Sequence, residues 1–193
     1  MKIPTLALSL AVLIASATTV AADSDDAGTK FRAELSGYHE VHFIAAPTPA
    51  LRGAVSTPAH GTFHATIDDR AQIIRYELSY EGLQDDASQA HIHFGQRHTV
   101  GGIVVWLCQG TLAAPPAVAN LTPTCPPRAG TVTGTITPAQ VLTAVGQGLN
   151  AGEFDELVKA IRAGATYANV HSVPFAPPGE IRGAILRERE SRQ

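Results

Sequence analysis

The chain has no surplus of basic charge. Fourteen Lys and Arg stand against seventeen Asp and Glu, a formal net charge of −3, so no cationic field exists to hold a nucleic acid backbone. Aromatic residues are scarce at 6%, which points the same way. The sequence lacks a phosphate-cradling Gly-rich loop ahead of a helix, a dinucleotide fingerprint and a Gly-x-Ser-x-Gly turn. Its adjacent acidic pairs, Asp68-Asp69 and Asp85-Asp86, fall in turn-like sequence where neighbouring carboxylates point apart and do not converge on a substrate. Cysteine is reduced to two residues and tryptophan to one, Trp106. What is present is a globular composition: 45% hydrophobic and 16% charged argues against disorder. Seventeen Gly and thirteen Pro in 193 residues supply turns for many short strands, and the length fits one or two domains.

The amino terminus stands apart. Met1-Lys2 precedes an apolar stretch from Leu6 to Ala17, no charge occurs between Ile3 and Ala22, and Val20-Ala21-Ala22 places small residues ahead of Asp23. This is the three-part pattern of a secretory signal, and its apolar core is short for a membrane span of about 20 residues. The sequence therefore predicts a signal peptide over 1–22, a flexible acidic segment over 23–30, one β domain over 31–187 and a tail over 188–193. It predicts a periplasmic or secreted product with no membrane span after signal removal. Cys108 and Cys125 bracket a Pro/Ala/Thr-rich stretch without periodicity. A disulfide there closes a loop of about 17 residues, worth ~3 kcal/mol when unstrained. The alternative, a pair of thiolate metal ligands, needs further soft partners nearby.

The periodicity is that of strands. Phe31, Ala33 and Leu35 alternate with Arg32, Glu34 and Ser36, as in a half-buried strand. Residues 62–68 and 73–80 flank the turn Asp68-Asp69-Arg70-Ala71, and further strands are expected over 87–94, 103–107, 130–137, 165–171 and 180–186. Two helices are expected late in the chain. One starts at Thr137-Pro138 with Val141, Leu142 and Val145 on a face. The other starts at the capping-box spacing Asn150 to Glu153, carries Phe154, Leu157, Val158 and Ile161, and ends at Gly164. The fold class is all-β: an antiparallel Greek-key sandwich or barrel with two short helices.

The stretch Ala90-His91-Ile92-His93-Phe94 carries the most chemistry. In a strand, Ala90, Ile92 and Phe94 face the core, and both imidazoles leave the opposite, outer face, close enough to grip one metal ion. Structurally incidental His-x-His pairs on exposed strands are the commoner case. Later, Tyr167-Ala168-Asn169-Val170-His171 puts Asn169 and His171 on the side opposite Val170, and Glu180 and Arg182 share one face of the next strand. Taken alone, that last pair reads as solvent-exposed. His60 and His64 would share one side of a strand and, with His39 and His42, read as surface residues.

These motifs in order resemble the CHRD (chordin) domain. The resemblance rests on Ala90-His91-Ile92-His93, Asn169-Val170-His171-Ser172 and Gly179-Glu180-Ile181-Arg182-Gly183. Phe94-Gly95-Gln96, Gly101-Gly102-Ile103, Glu34 to Val41 and Tyr80-Glu81-Gly82-Leu83 support it. It spans about Phe31 to Leu186 and implies an immunoglobulin-like or superoxide-dismutase-like β fold. Arg97-His98-Thr99-Val100 departs from the family pattern, which makes His98 either a private extra ligand or a loop residue. The His-x-His strand is also locally similar to the copper-binding strand of copper–zinc superoxide dismutase, although no zinc loop of closely spaced His and Asp accompanies it.

Two functions follow as expectations. The first is an exported binding protein in which His91, His93 and His171, with His98 as an extra candidate, hold copper, or zinc in its place. Asn169, Glu180 and Arg182 would then fix ring orientation from behind the ligands. The second is a metal-free module for an extracytoplasmic protein or polysaccharide partner, in which the same residues form a hydrogen-bonded brace. Dismutase-like catalysis is a third and lesser expectation, since it needs an open coordination position and no catalytic residue stands out.

Overall fold

A computed structural model describes residues 29–43, 52–176 and 178–188. The expected signal peptide with its cleavage point, and nearly all of the acidic segment, lie outside the described residues. Alternation builds the first strand as anticipated: β1 (Lys30–Ser36) buries Phe31, Ala33 and Leu35 and exposes the residues between them. After it come the short pair β2 (His42–Phe43) and β3 (Arg52–Gly53), joined antiparallel in a small separate sheet. The next hairpin is β4 (His60–Asp68) and β5 (Ile73–Glu81), paired throughout their length. Its turn is set by Asp68, whose carboxylate accepts the Ala71 backbone N–H at 2.9 Å, and by Gln72 at a φ of 51°. Then follow β6 (Ala87–Phe94), β7 (Gly102–Gln109), β8 (Gly130–Ile136), β9 (Thr166–Ser172), β10 (Ile181–Ala184) and β11 (Leu186–Arg187).

The main sheet runs β7-β6-β9-β10-β1-β4-β5-β8, with β11 also pairing with β1, and each of these pairings is antiparallel. The sheet curls into a nearly closed barrel, which leaves few edge groups unpaired. Across the remaining gap between β7 and β8, the Tyr76 hydroxyl donates to the Leu107 carbonyl at 2.6 Å. The segment after β8 covers the free edge of β7, where the Leu142 N–H donates to the Val104 carbonyl at 2.8 Å. Phe31, Phe63, Ile74, Leu78, Ile92 and Ile181 fill the interior.

One of the two expected helices is present. In α1 (Phe154–Arg162), Phe154, Leu157, Val158 and Ile161 point into the barrel core. Gly164 closes it at a φ of 66°, as a left-handed end cap requires. The Glu153 carboxylate reaches back to the Asn150 N–H at 2.7 Å, the contact that the capping-box spacing foretold. The helix expected after Thr137 is corrected to a single 3-10 turn, Pro138–Gln140. The Thr137 cap and Gln140 do form a capping box. Val141 then turns extended, because Leu142 is drawn to the edge of β7. Gly146 and Gly148, both at positive φ, complete a loop.

Cys108 and Cys125 are disulfide-bonded, with Cα atoms 5.0 Å apart. The bridge and Gln109 together tie down the long segment that follows β7. The Gln109 side-chain amide donates to the Ala119 and Thr122 carbonyls, both at 2.9 Å, and its oxygen accepts the Ala114 N–H at 3.0 Å. So held, Ala114 and Val118 pack on Trp106 in a second apolar cluster separate from the barrel core. Replacing both cysteines by serine is expected to lower stability by about 3 kcal/mol, read as a lower urea midpoint. An unchanged midpoint would show that the bridge carries no such load.

Candidate metal centre

The strand β6, like its neighbour β9, has both faces buried. Ala90 and Ile92 point into the barrel, as alternation requires, while His91 and His93 leave from the outer face. That outer face is not solvated: His91, His93 and His171 are 0%, 8% and 3% exposed. The expectation of histidines on an open strand is therefore corrected. A roof built from neighbouring strands and loops covers them.

Strand pairing lays the site out in rows. Trp106 on β7, His91 on β6, Asn169 on β9 and Arg182 on β10 stand side by side, and next to this row His93 pairs with Tyr167 while Gln89 pairs with His171. Two register shifts make the first row possible. Between Ala90 and His91, and again between Ile92 and His93, the pairing skips a residue of β7. Bulges of this kind re-aim side chains: Cys108 opposite Ala90 belongs to the barrel core, whereas Trp106 opposite His91 belongs to the outer cluster.

One nitrogen from each of His91, His93 and His171 lies within 4.8 Å of the other two. A single point then lies within about 2.8 Å of all three, so small ring movements reach the ~2 Å of a metal–nitrogen bond. Two of the rings have their orientation fixed from behind. His93 Nδ1 is 3.0 Å from the Gly101 carbonyl and His171 Nδ1 is 2.7 Å from the Ala176 carbonyl. A carbonyl only accepts, so each Nδ1 carries the proton and each Nε2 presents a lone pair. Both Nε2 atoms, and both nitrogens of His91, are buried without a hydrogen-bond partner. Aromatic neighbours close the sides. Trp106 meets the His91 ring edge-on, with centroids 4.3 Å apart, and Tyr167 stacks on His93 at 4.7 Å and 5°.

The residues expected to support the ligands are buried close by but do not hydrogen-bond to the rings. Arg182, 1% exposed, lies with its guanidinium 3.4 Å from the Tyr167 ring centroid, within cation–π range. It donates to the carbonyls of Gln96, Arg97 and Thr99 at 3.1, 3.1 and 2.7 Å. It thus anchors the loop that ends in Gly101, the His93 acceptor. Tyr167 assists, its hydroxyl accepting the Gly101 N–H at 3.2 Å. Glu180, fully buried, accepts from the Thr57 hydroxyl and the Ser172 hydroxyl at 2.5 Å each and from the Gln84 N–H at 3.1 Å. The reading of Glu180 and Arg182 as an exposed pair is corrected by these bonds. Asn169 donates to the Glu40 carboxylate at 2.6 Å, and Gly179 is pressed so closely on both that any side chain there would collide with them.

The remaining histidines lie elsewhere. His98 is exposed in a turn outside the cluster. His60 and His64 leave the exposed side of β4, where His60 pairs with Glu81 at 2.7 Å. His39 is exposed in the turn after β1.

The model of the CHRD domain family matches residues 31–185. The chain belongs to the CHRD domain family. No curated protein and no solved structure matches it. In this CHRD domain, sequence reasoning brought together His91, His93, His171 and Asn169 but missed four participants. Tyr167 shares the parity of Asn169 and His171, a signal available in the sequence. Trp106 was hidden by the bulges, and the Gly101 and Ala176 carbonyls carry no side-chain signal at all.

Burial governs the titration of the CHRD site. Desolvation lowers all three histidines: His93 and His171 fall to about 4, and His91 falls well below the usual imidazole value, pushed further by His171 and His93. Desolvation raises Glu40 to about 7, against the pull of the Val41 N–H and Arg182. Above pH 6.5 the rings are neutral in both folded and unfolded chains and do not affect the balance. As pH falls from 6.5 toward 4, the unfolded chain comes to hold up to three imidazole protons that the native site refuses, against the single proton that native Glu40 already holds below 7, so stability drops. The metal-free protein should lose at least a few kcal/mol between pH 6.5 and 4, measured by urea unfolding. A flat profile would contradict the neutral, buried state of the rings.

Proposed function

We propose that this CHRD domain is an exported binding module that holds one transition-metal ion, copper, through His91, His93 and His171. The observation that supports this is the set of partnerless ring nitrogens. A buried acceptor without a donor costs on the order of 1–3 kcal/mol, and here several such lone pairs are gathered at one point. A cation accepted by all three removes that cost together. Imidazole nitrogen suits copper and zinc, with copper(II) ahead among divalent ions. The disulfide agrees with an oxidising compartment, periplasmic or extracellular. Burial of the rings favours retention of an ion over turnover on a diffusing substrate.

A second reading is a metal-free interaction domain in which these polar residues brace the strands against one another. Glu180 and Arg182 favour it, because they complete their hydrogen bonds within the protein. The brace does not extend to the histidine Nε2 atoms, which have no partner in it.

Metal analysis after dialysis against copper should find one equivalent per chain, abolished by replacing His91 and His93 with alanine. That variant also loses the ring packing on Trp106 and Tyr167 and is expected to be less stable, so its fold is checked by circular dichroism before the metal content is compared. Equal metal content in both proteins would sink the reading. Arg182→Gln is expected to weaken metal binding about 10- to 100-fold, since the loop carrying Gly101 loses its anchor. An unchanged affinity would separate Arg182 from ring positioning.

A further inference from the structure

We infer that the site is built for a monovalent ion, Cu(I), and discriminates against divalent ions. This rests on the proposed metal centre and concerns which charge that centre tolerates. Solvation energy scales with the square of charge, so stripping water from a divalent ion costs roughly four times as much as from a monovalent ion of equal size. Sites for divalent ions recover that cost with carboxylate or thiolate ligands, or with a water in the fourth position, as in three-histidine zinc sites.

None of these compensations is offered here. Among the described residues, the cluster consists of three imidazoles, joined by no Asp, Glu or Cys. The carboxylates nearby are engaged elsewhere: Glu180 by Thr57, Ser172 and Gln84, and Glu40 by Asn169 and the Val41 N–H at 2.9 Å. The charge that Arg182 sets over the Tyr167 ring, which stacks on His93, is positive and offers a cation no compensation. The walls are the indole of Trp106, itself packed under Ala114 and Val118, and the ring of Tyr167. Such walls exclude the water that a tetrahedral divalent ion would bring in. Cu(I) has a filled d shell, accepts two or three neutral donors, and needs neither a fourth ligand nor a counter-charge to that extent.

Trp106 also supplies the test, as the only tryptophan in the chain and in contact with His91. The purified protein is titrated without oxygen, first with Cu(I) and with Ag(I) as a redox-inert substitute, then with Zn(II) and with Cu(II). Trp106 fluorescence is followed, and chromophoric chelators compete for each ion. Cu(I) and Ag(I) should bind one per chain with quenching of Trp106, and Cu(I) at least 100-fold more tightly than Zn(II) or Cu(II). A smaller preference overturns the choice of a monovalent ion while leaving the metal centre standing. Failure of all four ions to bind overturns both. Trp106→Phe should keep Cu(I) binding by chelator competition while losing the optical signal. His93→Gln and His171→Gln, each checked for an unchanged fold by circular dichroism, should each weaken binding at least tenfold, and unaltered affinity in either would count against the site.

Discussion

The structure turns on the burial of three neutral imidazoles that bring one nitrogen each within 4.8 Å of the others. Water would satisfy those atoms on an open strand, and here it is kept out by design of the surroundings. Loop 95–101 is gripped by Arg182, the turn after β9 offers the Ala176 carbonyl, and the segment after β7 lays Ala114 and Val118 over Trp106. The roof therefore depends on polar residues as much as on apolar ones. Arg182 is among the largest fully buried side chains in the protein, and Glu180 beside it accepts hydrogen bonds from three other parts of the chain.

This arrangement divides labour between the two faces of one sheet. Inside the barrel, packing of aliphatic side chains supplies stability in the ordinary way. Outside it, on β6, β9 and β10, polar residues are buried at a cost that hydrogen bonds offset for Glu180, Arg182 and Asn169 and that the imidazole Nε2 atoms leave unmet. Glu40 shows how far this goes. It has come from the turn after β1 to meet Asn169 on β9, with Gly179 left bare to make room.

Much of the fold was legible because alternation is a strong signal when one face of a strand is wet. The strands β1, β4, β5 and β8 alternate cleanly and were read within a residue or two. The His-x-His strand was legible too, since Ala90 and Ile92 had to face inward. The burial of its outer face was not legible: a strand covered on both sides by different kinds of residue looks the same as an exposed one until its roof is seen. The short turn after Thr137 failed for another reason, because tertiary pairing of Leu142 with β7 overrode a good helix start. Counting parity along β7 would put Trp106 and Cys108 on the same side. One skipped residue, Leu107, separates them, and nothing in Gly102–Gln109 announces the skip.

The Cys108–Cys125 bridge has a consequence for the order of assembly. It fixes the strap that presses on Trp106, and Trp106 is the wall against His91. Until the two sulfurs are joined, that strap is tethered only by Gln109 and its backbone bonds, and the histidine cluster stands beside a looser cover. Thiol oxidation is thereby placed upstream of closing the cover over the candidate metal centre. A chain kept in a reducing compartment would present its rings in a leakier setting, so the compartment in which the polypeptide matures also sets how tightly the three imidazoles are enclosed.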